Sequence, residues 1–124
     1  MNNKRELNYE PGLFDEEAAL AALDGERELL SQLATMFVED SHELLGTLDQ
    51  AVAAENCRSA HHAIHSLKGQ VATFFAAPVV ELAQRLEHEA AEGRLTELTC
   101  GGCVQLRQSI GRLVQELRGR GLVE

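Results

Sequence analysis

Apolar residues return every three or four positions along most of this chain, which is the period of an α-helix buried on one face. No other feature restricts the fold as strongly. Leu29, Leu33, Met36, Phe37, Leu44, Leu48 and Val52 form one such series, with Glu39, Asp40, Glu43 and Asp49 between them, and predict a helix over about 26–54. The period runs through Gly46, although a glycine costs about 1 kcal/mol in a helix interior. Asn56 is suited to cap the next helix, whose stripe is Ala60, Ile64, Leu67, Val71 and Phe74. Pro78 fits the first turn of a further helix carrying Val79, Leu82, Ala83, Leu86 and Ala90, which Gly93 ends. The last series is Leu95, Leu98, Cys103, Leu106, Ile110, Leu113 and Leu117, interrupted at Gly101-Gly102 and closed by Gly119 and Gly121. Before all of these, Asp15 caps a short helix that Asp24-Gly25 stops.

Nothing in the chain alternates as a strand, signals a hairpin or repeats, and the linkers are short. The expected fold is all-α: an up-and-down antiparallel four-helix bundle with a short N-terminal helix. One domain over 13–119 is expected, with an arm at 1–12 and a tail at 120–124. A net charge of −9 without a basic block argues against nucleic acid or an anionic membrane as partner. The longest near-apolar run, VATFFAAPVV, is ten residues and too short to span a bilayer. The charged N-terminus does not read as a secretory leader, and three cysteines suit a reducing compartment, so a soluble, cytoplasmic, monomeric protein is expected. Met1 followed by a polar arm favours a free-standing protein over an excised domain.

From Asn56 to Val80, 25 residues contain no acid, although the chain has 20 acidic residues in 124. The same window holds Arg58, His61, His62, His65 and Lys68. At 100° per residue His61, His65, Lys68 and Ala72 form a second stripe, beside the apolar one. A general base needs an orienting carboxylate, and no acid lies within nine residues of His65 on either side. A nucleophile that accepts a phosphoryl group fits better. A phosphoryl group brings about −1.5 to −2 charge, which neighbouring carboxylates would repel. Lys68, three residues on, can neutralise it. Gly69, unfavourable inside a helix, leaves clearance for another protein to approach the imidazole.

His65-Ser66-Leu67-Lys68-Gly69, followed by Ala76, Val79, Leu82-Ala83 and Leu86-Glu87, resembles the signature of the histidine-containing phosphotransfer (HPt) domain family. Asp24-Gly25-Glu26, Glu28-Leu29-Leu30 and Met36-Phe37-Val38-Glu39-Asp40 resemble its first long helix, so the likeness covers about residues 15–117. The resemblance implies a phosphocarrier rather than an enzyme, with no ATP site of its own. His65 would accept phosphate from a receiver-domain aspartyl phosphate and pass it to another receiver. Lys68 would stabilise the phosphoryl group, and Gly69, His61, His62, Ala72 and Phe75 would face the docked partner. The implied partners are response-regulator receiver domains and a hybrid sensor histidine kinase. No cofactor belongs to the chain itself, and Mg²⁺ is expected in the receiver. Two positions depart from the pattern. Ile64 stands where the family has alanine, and Phe75 where it has a helix-ending glycine. Since phenylalanine disfavours the left-handed conformation such a glycine would adopt, the helix is expected to run to about Ala76, with Pro78 enforcing the break.

Other readings of the same residues are structural or belong to other classes. His61 and His62 suit a solvated surface, and Phe37, Phe74 and Met36 suit the core. A phosphate-independent adaptor would bind a receiver or kinase with the same bundle, but has no need of His65, Lys68 and Gly69 together. Cys57, His61 and His65 could ligate a metal, which would take His65 out of phosphoryl chemistry; no metal is expected. Cys100-Gly101-Gly102-Cys103 has redox or half-zinc spacing, without a second pair or a βαβ setting. Cys103 instead falls on the Leu106 and Ile110 stripe, as a buried thiol would.

Overall fold

A computed structural model describes residues 12–96 and 101–124. Among these, five α-helices and no strand are present: α1 Glu16–Ala22, α2 Arg27–Ala53, α3 Cys57–Ala72, α4 Ala77–Ala91 and α5 Cys103–Gly119. Helix α2 packs on α3, α3 on α4, α4 on α5 and α5 back on α2, so the four long helices close a bundle, with α1 against α2. The caps are those the side chains dictate. Asp15 accepts from the Ala18 N–H, Asn56 accepts from the Ser59 N–H, and Pro78 lies in the first turn of α4.

The inward stripes of α3, α4 and α5 fall where the periodicity places them. That of α2 is turned by about one residue: Leu30, Ala34, Phe37, Ser41, Leu45, Leu48 and Ala51 are buried. Leu29 and Met36, expected inside, are 40% and 56% exposed. Following the largest residues misses this row, because Ala34 and Ser41 carry it through two of its turns.

All five helices end alike. One residue adopts positive φ (Asp24, Glu55, Phe75, Gly93 and Gly121), and the next N–H donates back to the carbonyl five residues earlier. The five bonds are Gly25 to Leu20, Asn56 to Ala51, Ala76 to Val71, Arg94 to Glu89 and Leu122 to Leu117. Only two of the five left-handed residues are glycine. Helix α3 therefore does not run to Ala76 as expected. It stops at Ala72, and Phe75 takes φ 51° as the family's glycine would. Both neighbours of Phe75 are anchored: Phe74 and Ala76 are buried, and the Phe74 carbonyl accepts from the Asp15 N–H at 3.2 Å. Their burial outweighs a left-handed penalty of about 1–2 kcal/mol. Phe75→Gly should accordingly raise the urea midpoint, by about 0.5–1 kcal/mol in stability. A lowered midpoint would mean that the half-exposed ring contributes more through contacts than its backbone costs.

The two ends of the chain meet at one end of the bundle. The Glu116 carboxylate accepts from the backbone N–H groups of Leu13 (2.9 Å) and Phe14 (2.8 Å). Residues 120–124, set apart as a tail, return to the bundle: Leu122 is buried, and its carbonyl accepts from Ser31 Oγ at 2.7 Å. Helix α5 begins at Cys103, after Gly101 at φ 125°; Leu98 and Cys100 lie outside the described residues.

Candidate functional site

Burial of Ala60, Ala63, Ile64, Leu67 and Val71 fixes the rotation of α3 about its axis. His61, His65 and Lys68 are thereby placed beside α4. On α4, burial of Val79, Leu82, Ala83, Leu86 and Ala90 leaves Glu87 at the rim, facing the same seam. Glu87 gathers the site. Lys68 Nζ lies 2.6 Å from Glu87 Oε1, His65 Nδ1 2.6 Å from Oε2, and His61 Nε2 3.5 Å from that same Oε2. The rings of His61 and His65 lie nearly parallel, 14° apart in plane with centroids 6.3 Å apart. The His65 side chain is 62% exposed, whereas that of Glu87 is only 13% exposed.

Burial pushes the Glu87 carboxyl up, but hydrogen bonds from Lys68 and His65, with their charges, more than reverse this and hold it below its ordinary value. Glu87 is thus a carboxylate at neutral pH and can only accept, so the proton on the His65 side of this bond belongs to Nδ1. The contribution of this network to folding is present above the unfolded carboxyl's range and lost as pH falls through the lower, folded value.

The acid-free stretch around His65 is therefore not an acid-free site. The orienting carboxylate missing from the local sequence comes from 22 residues downstream, on the neighbouring helix. Glu87 is the last residue of the quoted signature, which was the one signal available for it.

The remaining residues singled out do not all join this cluster. Gly69 is one turn beyond His65, and a Cβ built on it would meet nothing within 4 Å, so no packing inside the protein requires glycine there. His62 and Ala72 are exposed on α3. Phe75, 45% exposed, lies beyond the end of α3 and lines a cleft with Phe14, Pro78 and Arg120 at the end of the bundle, apart from the histidine cluster. Cys57 and Cys103 are free thiols, each at the first position of its helix. Cys103 packs against the core, and burial, then the nearby Asp49 charge, pushes its thiol up, which makes it a poor thiolate. No group of three metal-ligating side chains capable of holding an ion occurs among the described residues. No helix among them is long and apolar enough to cross a membrane.

Three comparisons with known proteins bear on this arrangement. The model of the Hpt domain family matches residues 32–116. No curated protein matches the chain. Among solved structures, histidine-containing phosphotransfer protein B (HptB) from Pseudomonas aeruginosa PAO1 superposes with a TM-score of 0.81 at 21% identity, over 90% of this chain and 96% of that one. The superposition speaks for the fold, a helical bundle in both.

Proposed function

This chain belongs to the Hpt domain family, whose members are phosphocarriers in phosphorelays, and from that premise we propose that His65 is the residue that carries the phosphoryl group. One observation supports the assignment above the others: an exposed imidazole whose Nδ1–H is engaged by Glu87 Oε2 at 2.6 Å. The lone pair is then on Nε2, the nitrogen that Glu87 does not engage.

In the transfer we propose, Nε2 of His65 attacks the phosphorus of an aspartyl phosphate on a receiver domain. A P–N bond forms, the P–O bond breaks, and its electron pair leaves with the aspartate carboxylate. The imidazole keeps its Nδ1 proton and gains positive charge, which the Glu87 carboxylate stabilises through the hydrogen bond already in place. Reversal onto a second receiver returns the ring to neutrality. Lys68, one turn from His65, supplies positive charge to the phosphoryl oxygens. The chain contributes nucleophile, orientation and counter-charge. The receiver contributes the phosphorylated aspartate and its Mg²⁺, so neither an ATP site nor a resident cofactor has a part in the step. Response regulators and a hybrid sensor kinase are the proposed partners.

The test is incubation with a receiver domain carrying labelled phosphate. Acid-labile, base-stable label on this protein is expected. Receivers that bind it but leave no label would favour an adaptor instead.

Gly69 gives a prediction with two signs. Open space around its Cβ position means that Gly69→Ala should raise stability by up to about 1 kcal/mol. Gly69→Leu should also stay folded yet slow transfer, because the added side chain stands where the receiver must come close. Unchanged transfer in Gly69→Leu would refute the clearance role.

A further inference from the structure

We propose that His61 is a positioning residue of this site: it takes over the Glu87 carboxylate, as an imidazolium, when Lys68 turns from that carboxylate to a phosphoryl group on His65. The proposal rests on the reading of His65 as phosphoacceptor.

Glu87 offers two oxygens to three nitrogens. Lys68 holds Oε1 and His65 holds Oε2, each at 2.6 Å. His61 Nε2 stands 3.5 Å from Oε2, inside ion-pair range but longer than a good N–H···O bond. Its ring lies parallel to that of His65 one helical turn away, and its side chain is 41% exposed, so it can take a proton from water. His61 is thus held in reserve beside an acceptor that two other donors already occupy.

Phosphorylation upsets the balance of charge. Before it, the Lys68 ammonium and the Glu87 carboxylate neutralise one another. A phosphoryl group adds about −1.5 to −2 within reach of the same ammonium. If Lys68 moves toward it, Glu87, 13% exposed, keeps the Nδ1–H of His65, but the phosphoryl group outweighs the positive charge that this ring gains, so the cluster is left with net negative charge, which is costly away from water. The seam between the helices is a cleft of about 240 Å³ lined by His61 and Lys68 from α3 and by Gln84, Glu87, His88 and Ala91 from α4. Its titratable and charged groups are therefore His61, Lys68, Glu87 and His88, with His65 stacked on His61. Glu87 is the one acid lining it, so a proton gained by His61 serves Glu87. His88 is the only other imidazole in the lining and provides the control.

Proton uptake on phosphorylation has a definite sign. The phosphorylated protein binds the His61 proton more tightly than the unphosphorylated one. Phosphohistidine is therefore favoured as pH falls. The gain is complete below the His61 midpoint of the unphosphorylated protein, and is lost as pH rises through the higher midpoint of the phosphorylated protein. Each unit between the two midpoints is about tenfold in the transfer equilibrium.

Two measurements test this. The first is an NMR titration of His61 in wild type, Lys68→Met, and Lys68→Met with Glu87→Gln. Removing Lys68 should raise the His61 midpoint by about one unit, and removing Glu87 as well should reverse the rise. An unchanged midpoint in Lys68→Met would overturn the proposal, and this measurement needs no phosphoryl transfer. The second is the transfer equilibrium with a phosphorylated receiver between about pH 6 and 8, in wild type, His61→Gln and His88→Gln. His61→Gln should lose the acid-side gain in phosphohistidine, up to about tenfold, while His88→Gln keeps it. Labelled proteins with identical pH profiles in wild type and His61→Gln would refute the role of His61 alone. Absence of label on a wild type that shows the expected titration would refute the phosphoacceptor reading, and the proposal with it.

Discussion

His65→Gln should abolish phosphoryl labelling completely and leave the folded protein in place. A glutamine amide can still donate to the Glu87 carboxylate, so the contact that orients the residue survives while the nucleophile is lost. The site is on the surface, with the His65 side chain 62% exposed, and changes at such positions usually alter stability by less than about 0.5 kcal/mol. Helicity and the denaturation midpoint should therefore match wild type. The comparison separates chemistry from structure: label persisting on the variant would move the acceptor to another residue, with His61 and His62 the nearest alternatives on α3.

Phe74→Ala should have the largest effect on stability, a loss of about 3–5 kcal/mol, which is a large share of what a single domain has. Phe74 is 1% exposed, packs edge-on against Phe14 with centroids 6.0 Å apart, and meets Phe37 tilted at 5.2 Å. Its carbonyl also accepts from Asp15 N–H. One residue thus ties the N-terminal segment, α2 and the turn between α3 and α4. Truncation leaves a cavity that three elements must collapse to fill. The check is a urea denaturation curve, in which the midpoint falls with an unchanged slope. A loss below about 1 kcal/mol would show that this corner repacks freely. Phe74 is nine residues from His65 along the chain, so the folded fraction of the variant should still accept phosphate.

Local physical signals carried much of this fold and some of the site. Asp15, Asn56 and Pro78 act at helix starts, as their side chains require, and the stripes of α3, α4 and α5 follow the 3.6-residue period. Because rotation of a helix is fixed by its buried stripe, the side-by-side placement of His61, His65 and Lys68 could also be read from spacing. Three features were out of reach for definite reasons. The inward row of α2 includes Ala34 and Ser41, so the largest side chains do not mark it. The end of α3 is decided by burial of Phe74 and Ala76 on either side of Phe75, which overrides that residue's own backbone preference. Glu87 meets His65 only through the packing of α4 on α3, and a local window sees no acid at all. Sequence spacing finds partners along one helix; partners across a seam depend on which helices pair and at what height.

If the Glu87 carboxylate on α4 holds Nδ1 of His65, the phosphoryl group goes to Nε2, and long-range ¹H–¹⁵N correlation NMR on protein phosphorylated by a receiver domain reads which nitrogen carries it. The expected spectrum shows a single modified imidazole, that of His65, with phosphorus on Nε2 and the proton retained on Nδ1. Phosphorus on Nδ1 of His65, or on His61 or His62, would refute this assignment, because the Glu87 bond would then not be directing the chemistry.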